Sequence, residues 1–154
     1  LLGSDINSDT LSRIVQSTQR HKNDERLEWD VLKLFHHCSY KALNCNDRGT
    51  DKTMPVEKVA WLLEEQGQER SIIVSLSAPI PTKGSVKDND QPPHRQAAAY
   101  YKPLQNSRKG QFEVTMDDPK KPLTINITAT GAALGLSSPA SAGSSSTSKP
   151  MRAG

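Results

Sequence analysis

The densest reactive chemistry in the chain is His36-His37-Cys38, followed seven residues later by Cys45. Thiolate and imidazole are ligands that zinc takes in a tetrahedron. Zinc sites bring their ligands in close pairs such as C-x2-C, and the spacing of Cys38 and Cys45 does not fit. If one helix ran through both, they would stand about 10 Å apart along its axis. A disulfide needs Cα atoms within about 7 Å. A thiol near imidazoles could also be a nucleophile with its base, but adjacent helical residues point in different directions. Cys38 is therefore read as a small buried hydrophobe, and we expect no metal and no cofactor.

Other catalytic patterns are missing. The chain has no G-x-S-x-G elbow and no glycine-rich phosphate loop. Asp9, Asp47 and Asp51 lack calcium-loop spacing. Glu64-Glu65 and Asp117-Asp118 read as solvated surface. We expect a protein that is not an enzyme.

The elements that would position these residues are short. Leu11, Ile14, Val15 and Thr18 predict a helix from about Ser8 to Arg20, capped by Ser8 or Asp9. Leu27, Val31, Leu34, Phe35, Cys38 and Ala42 predict a second, capped by Asn23 or Asp24 and stopped by the turn formers of 44–51. A third is expected from about Pro55 to Gln66, with Gly67 as its terminator. Arg70–Ser77 reads as a strand. From Thr82 to Lys109 the chain reads as a polar linker, in which Ala97–Tyr101 makes at most one turn before Pro103. Phe112, Val114 and Met116, then Leu123, Ile125 and Ile127, alternate about a turn and predict a hairpin. From Gly131 onward Gly, Ala, Ser and Pro predict a flexible tail.

The expected fold class is therefore α+β. It comprises a helical head of two to three helices with a following strand (1–78), a linker (79–110), a possible hairpin (111–130) and a disordered tail (131–154). Only 34% of the chain is hydrophobic, which suits a small core.

Two local likenesses accompany this reading. The spacing Leu34-x3-Cys38-x3-Ala42 resembles the box by which substrate receptors of cullin ligases hold elongin, and Thr53-Met54-Pro55-Val56 loosely resembles the cullin-contacting part that follows. It departs at Lys33, where that family prefers Ser, Thr or Pro. Leu62-Leu63-Glu64-Glu65-Gln66-Gly67 resembles the Gln-Gly junctions cut by picornavirus-type proteases, which would imply a fragment of a viral non-structural polyprotein. The membrane anchor expected soon after such a junction is absent from the sequence.

Charge is uneven. Residues 1–82 carry 10 Lys/Arg against 12 Asp/Glu, whereas residues 83–154 carry 10 against 5. A basic second half suggests an anionic partner. Arg95, Tyr100, Tyr101, Lys102, Arg108 and Lys109 mix cations with aromatics and form the candidate nucleic-acid surface, within a basic stretch from Arg95 to Lys121. A winged-helix arrangement is disfavoured by the acidic third helix. The leading expectation is a non-enzymatic protein-interaction module that binds another protein through Trp29, Leu32 and Trp61, tryptophan being a frequent anchor. No apolar run is long enough for a membrane span. The first residues form no signal peptide, and their lack of Met suggests a fragment or processed product. Cysteines without a secretory signal suggest an intracellular protein. Asn126-Ile127-Thr128 fits a glycosylation sequon, which carries no weight without secretion.

Overall fold

A computed structural model of the chain describes residues 1–88, 91–119 and 121–135. It is a mixed α and β fold, with three α-helices and five strands among these residues: α1 (Ser8–Arg20), β1 (Trp29–Lys33), α2 (Glu57–Glu64), β2 (Gly67–Ser75), α3 (Arg95–Ser107), β3 (Gln111–Val114), β4 (Ile125–Thr128) and β5 (Gly131–Leu134). The expected tail beyond Gly135 lies outside the described residues.

The first helix forms where its apolar spacing puts it. Its cap is Asn7 rather than Ser8 or Asp9, with Asn7 Oδ1 accepting the Thr10 N–H at 3.0 Å. Leu11 and Val15 are buried, one turn apart. The third expected helix is α2, which starts after Val56 instead of at Pro55. The expected strand is β2, extended back to Gly67.

The second expected helix does not form. Asp24–Leu27, Phe35–His37 and Tyr40–Ala42 are single 3₁₀ turns, and Trp29–Lys33 is a strand. The same residues satisfy both periods. Trp29 and Leu32 satisfy burial as well in a strand as in a helix, and pairing with the β-branched run of β2 favours the strand. The elongin-box likeness goes with that helix, because Leu34 to Ala42 is not one.

β1, β2 and β3 form a parallel sheet in that order. Val31 pairs with Ile72, Leu32 with Ile73 and Lys33 with Val74, then Ile73 with Phe112 and Ser75 with Val114. At the other edge Leu2 makes a single parallel bridge to Lys33. The chain thus crosses the sheet in sequence order. Parallel neighbours need crossover connections, which turn right-handed; made in one direction, they stack their helices on one face. Accordingly Leu11 and Val15 of α1, Val59, Leu62 and Leu63 of α2, and Ala97, Ala98 and Tyr101 of α3 share one core with Leu32 and Ile73.

α3 lies in the stretch expected to be a linker. Ala97, Ala98, Tyr100, Tyr101 and Gln105 are all buried along one side, and that burial outweighs the single backbone bond lost at Pro103. The expected hairpin is repartnered. Gln111–Val114 joins β2, while Ile125–Thr128 pairs antiparallel with Gly131–Leu134. Gly131–Leu134 is therefore a strand, not tail. Gln66-Gly67, the junction-like pair, lies inside the fold: Gln66 O accepts the Trp29 N–H at 3.0 Å.

Candidate functional site

Binding sites of parallel sheets lie beyond the carboxyl ends of their strands. Here that end is formed by the loop after β1, the loop after β2 and the start of α3. The loop after β1 is unusual. His36, His37 and Cys38 have φ of 49°, 53° and 62°, three successive left-handed residues without a glycine. Each costs about 1–2 kcal/mol relative to the right-handed form. The turn is held by Ser39 N–H to His36 O at 3.0 Å, His94 N–H to Cys38 O at 3.1 Å and His36 N–H to Ser4 O at 3.1 Å.

Two of these three side chains have a structural use. Cys38 is fully buried in the core, and burial pushes its thiol up to about 12, with a smaller opposing effect from a hydrogen bond with Ser75. A thiol so placed is no nucleophile at neutral pH. His37 donates from Nδ1 to Leu76 O at 2.6 Å. The third, His36, makes no side-chain hydrogen bond to a described residue and lines a cleft of about 230 Å³.

That cleft joins His36, Tyr40, Lys41, Arg48, Gln91 and His94. They come from the β1 loop, the Tyr40 turn, the loop before Thr50 and the residue that precedes α3. His94 is buried, and its ring meets Tyr40 edge-on at 5.0 Å. No carboxylate lines the cleft among the described residues. Behind it, Asp88 holds the start of α3: its carboxylate is 2.7 Å from Arg95 Nε and accepts the Gly84 N–H at 2.9 Å. These contacts, the Gly84 bond foremost, hold the Asp88 carboxyl below its ordinary value despite the opposing effect of burial, with a smaller contribution from Arg48. Arg95 also reaches Asp51 at 3.4 Å, which Lys83 meets at 2.7 Å.

The residues singled out from sequence fall elsewhere. Trp29 is 2% exposed and Leu32 is 0% exposed; Trp29 Nε1 donates to Leu62 O at 3.1 Å inside the core. Neither is presented to a partner. Trp61 is half-buried against the same core. Tyr100 and Tyr101 are buried and offer no face for a base to stack on. Tyr100 donates to Glu64 at 2.6 Å. Arg108 stacks on Trp29 and donates to Glu64 O, Lys102 lies over Phe112 at 5.5 Å, and Lys109 is exposed at the end of α3. These residues do not assemble into one surface. Cys45 lies apart from Cys38, its Sγ 3.4 Å from Asp9. Among the described residues no group of three or more His, Cys, Asp or Glu could hold a metal ion, and no helix is long and apolar enough to cross a membrane.

In the sequence His36 stands out only beside His37 and Cys38, and no spacing marks Lys41, Arg48 and His94 as a set. Comparison of the chain with protein-family models, with curated proteins and with solved structures finds no match.

Proposed function

We propose that the chain is a non-catalytic binding module that captures an anionic group of its partner in the cleft between the β1 loop and the start of α3. One observation carries this reading: His36, Lys41, Arg48 and His94, from separate elements, line a single polar cleft. Cationic and N–H donors placed around one cavity favour an anion strongly, because part of the cost of ordering them is already met by the fold. Placement at the carboxyl end of a parallel sheet supports it further. The burial of Cys38 argues against covalent catalysis there.

The test is an anion titration followed by NMR of the histidine side chains. Inorganic phosphate, sulfate and acetate are added at constant ionic strength. Saturable shifts of His36 and His94 that are weakened in Lys41→Ala support the reading. Shifts that are linear with every anion, or that spread over the whole surface, overturn it. The alternative reading, nucleic-acid binding, is tested on the same sample. It requires a single-stranded oligonucleotide to compete with phosphate at the same resonances.

A further inference from the structure

The three-stranded sheet has two edges, and the fold treats them differently. Along β1, Leu2 makes its bridge to Lys33. Lys33 N–H donates to Leu1 O at 3.1 Å, and Lys33 Nζ donates to Gly3 O at 2.7 Å. That edge is covered. At the other edge β3 pairs with β2 alone. Thr115 N–H donates to Ser75 O at 3.0 Å. Alternation along the strand therefore turns the backbone groups of Glu113 toward β2 and those of Phe112 and Val114 away from it. Among the described residues no backbone group bonds to Phe112 on that outer side, and Val114 O accepts only the Asp117 N–H, at 3.2 Å. An open row of strand N–H and C=O groups is a template for one more strand.

The side chains say what kind of strand. Register with β2 sets Phe112 beside Ile73, on the face covered by helices, and Glu113 beside Val74, on the other. Phe112 is half-buried against the core, so its outer flank suits an apolar neighbour. The Glu113 carboxylate has no hydrogen-bond or ion-pair partner among the described residues. It lines a cavity of about 260 Å³ whose walls also include Asp117, Lys121, Leu123 and Leu134. Leu123 and Leu134 can cover the aliphatic stem of a long cation whose charge meets Glu113. Opposite charges across a strand pair stabilise it and like charges weaken it. A second copy of this chain is thus a poor occupant. An antiparallel self-pairing that sets Phe112 against Val114 would bring Glu113 against its own counterpart.

We propose that the open edge of β3 receives an extended segment of a partner protein as a fourth strand, with a lysine or arginine opposite Glu113 and apolar side chains beside Phe112. Main-chain hydrogen bonds to Phe112 and Val114 hold the segment, and its alternation of basic and apolar residues selects it. This surface shares no residue with the anion cleft and stands without it.

The experiment uses three short peptides: one alternating valine and lysine, one alternating valine and glutamate, and the first again with its backbone nitrogens methylated. Each is titrated into the full chain and into Glu113→Gln and Glu113→Lys, with affinity and amide exchange followed by NMR. The valine–lysine peptide should bind and should slow exchange at Phe112 and Val114. Glu113→Gln should weaken it, and Glu113→Lys should weaken it by about fivefold and transfer the preference to the valine–glutamate peptide. The methylated peptide should protect neither amide. Equal binding of the lysine and glutamate peptides to the unaltered chain would overturn the proposal. So would binding that leaves Phe112 and Val114 unprotected, since that is attraction of charge without strand addition, and so would failure of every peptide to bind. Phe112 and Val114 already protected in the free chain would mean that the edge is occupied: by a second copy if sedimentation gives a dimer, from within the chain if it gives a monomer. Either result overturns the proposal.

Discussion

Nδ1 of His37 lies 2.6 Å from the carbonyl oxygen of Leu76, so the loop after β1 is fastened to the loop after β2. A carbonyl only accepts, so that ring nitrogen carries the proton. Because His37 is also left-handed, with φ of 53°, two effects oppose each other at one residue. Removing the side chain loses an exposed hydrogen bond worth about 0.5–1.5 kcal/mol. Glycine at the same place relieves backbone strain of about 1 kcal/mol, and alanine does not. His37→Gly should therefore be more stable than His37→Ala by about 1 kcal/mol, the reverse of their usual order. Urea denaturation of both measures it. Equal stability would mean that the left-handed turn does not survive loss of the imidazole.

Trp29 is a core residue, and its replacement should behave as one. Trp29→Ala removes a buried ring that bonds to Leu62 O and stacks under Arg108, at a cost of about 3–5 kcal/mol. Leu32→Ala should cost about 2–5 kcal/mol, against a total stability typically about 5–15 kcal/mol. Trp61→Ala, at a half-buried site, should cost less than either. Chemical denaturation orders the three. If Trp29→Ala were the mildest, the burial of β1 described above would be wrong.

What the sequence made legible was decided by whether the contacts were local. α1 and α2 follow from their own apolar spacing, and β2 from its β-branched run. β1 was not legible, because Leu27, Val31 and Leu34 fit a helical stripe, and only pairing with Ile72–Val74, some forty residues away, selects the strand. α3 was concealed by Pro103 and by a polar neighbourhood, since its stability comes from Tyr101 and Gln105 packed on other elements. The cleft was concealed for the same reason. His36 and Lys41 are near in sequence, but His94 reaches them only after the crossover from β1 through α2 to β2. The signal that could have found it is the alternation of strand and helix, which implies a parallel sheet and directs attention to the residues after each strand.

Asp88 should make the fold sensitive to acid. Its carboxyl is held below its ordinary value of 3.8 by the Gly84 N–H and by Arg95. A carboxylate whose folded value is depressed contributes stability that is present above its unfolded value and lost as pH falls through its folded value. The contribution should therefore be complete at neutral pH and fade as pH drops below 3.8. Asp88→Asn should melt below the wild type at pH 7, and the gap between them should close in acid. Thermal melts across that range give the answer. A gap that stayed constant with pH would show that the Arg95 contact carries no charge-dependent stability.

The two thiols give a probe of the strained turn itself. Cys38 is buried and pushed up to about 12 by that burial, so it stays protonated at pH 8 and closed to reagents. Cys45 is only half-buried. Iodoacetamide should therefore label the native chain once, at Cys45, and the urea-unfolded chain twice. Labelling of Cys38 in the native state must wait for an opening of the 36–38 turn, so its slow rate reports how often that turn releases. An anion bound to the cleft stabilises the closed turn by mass action and should slow the labelling of Cys38 while leaving Cys45 unchanged. Prompt labelling of both thiols in the native chain would show that the core around Cys38 is open.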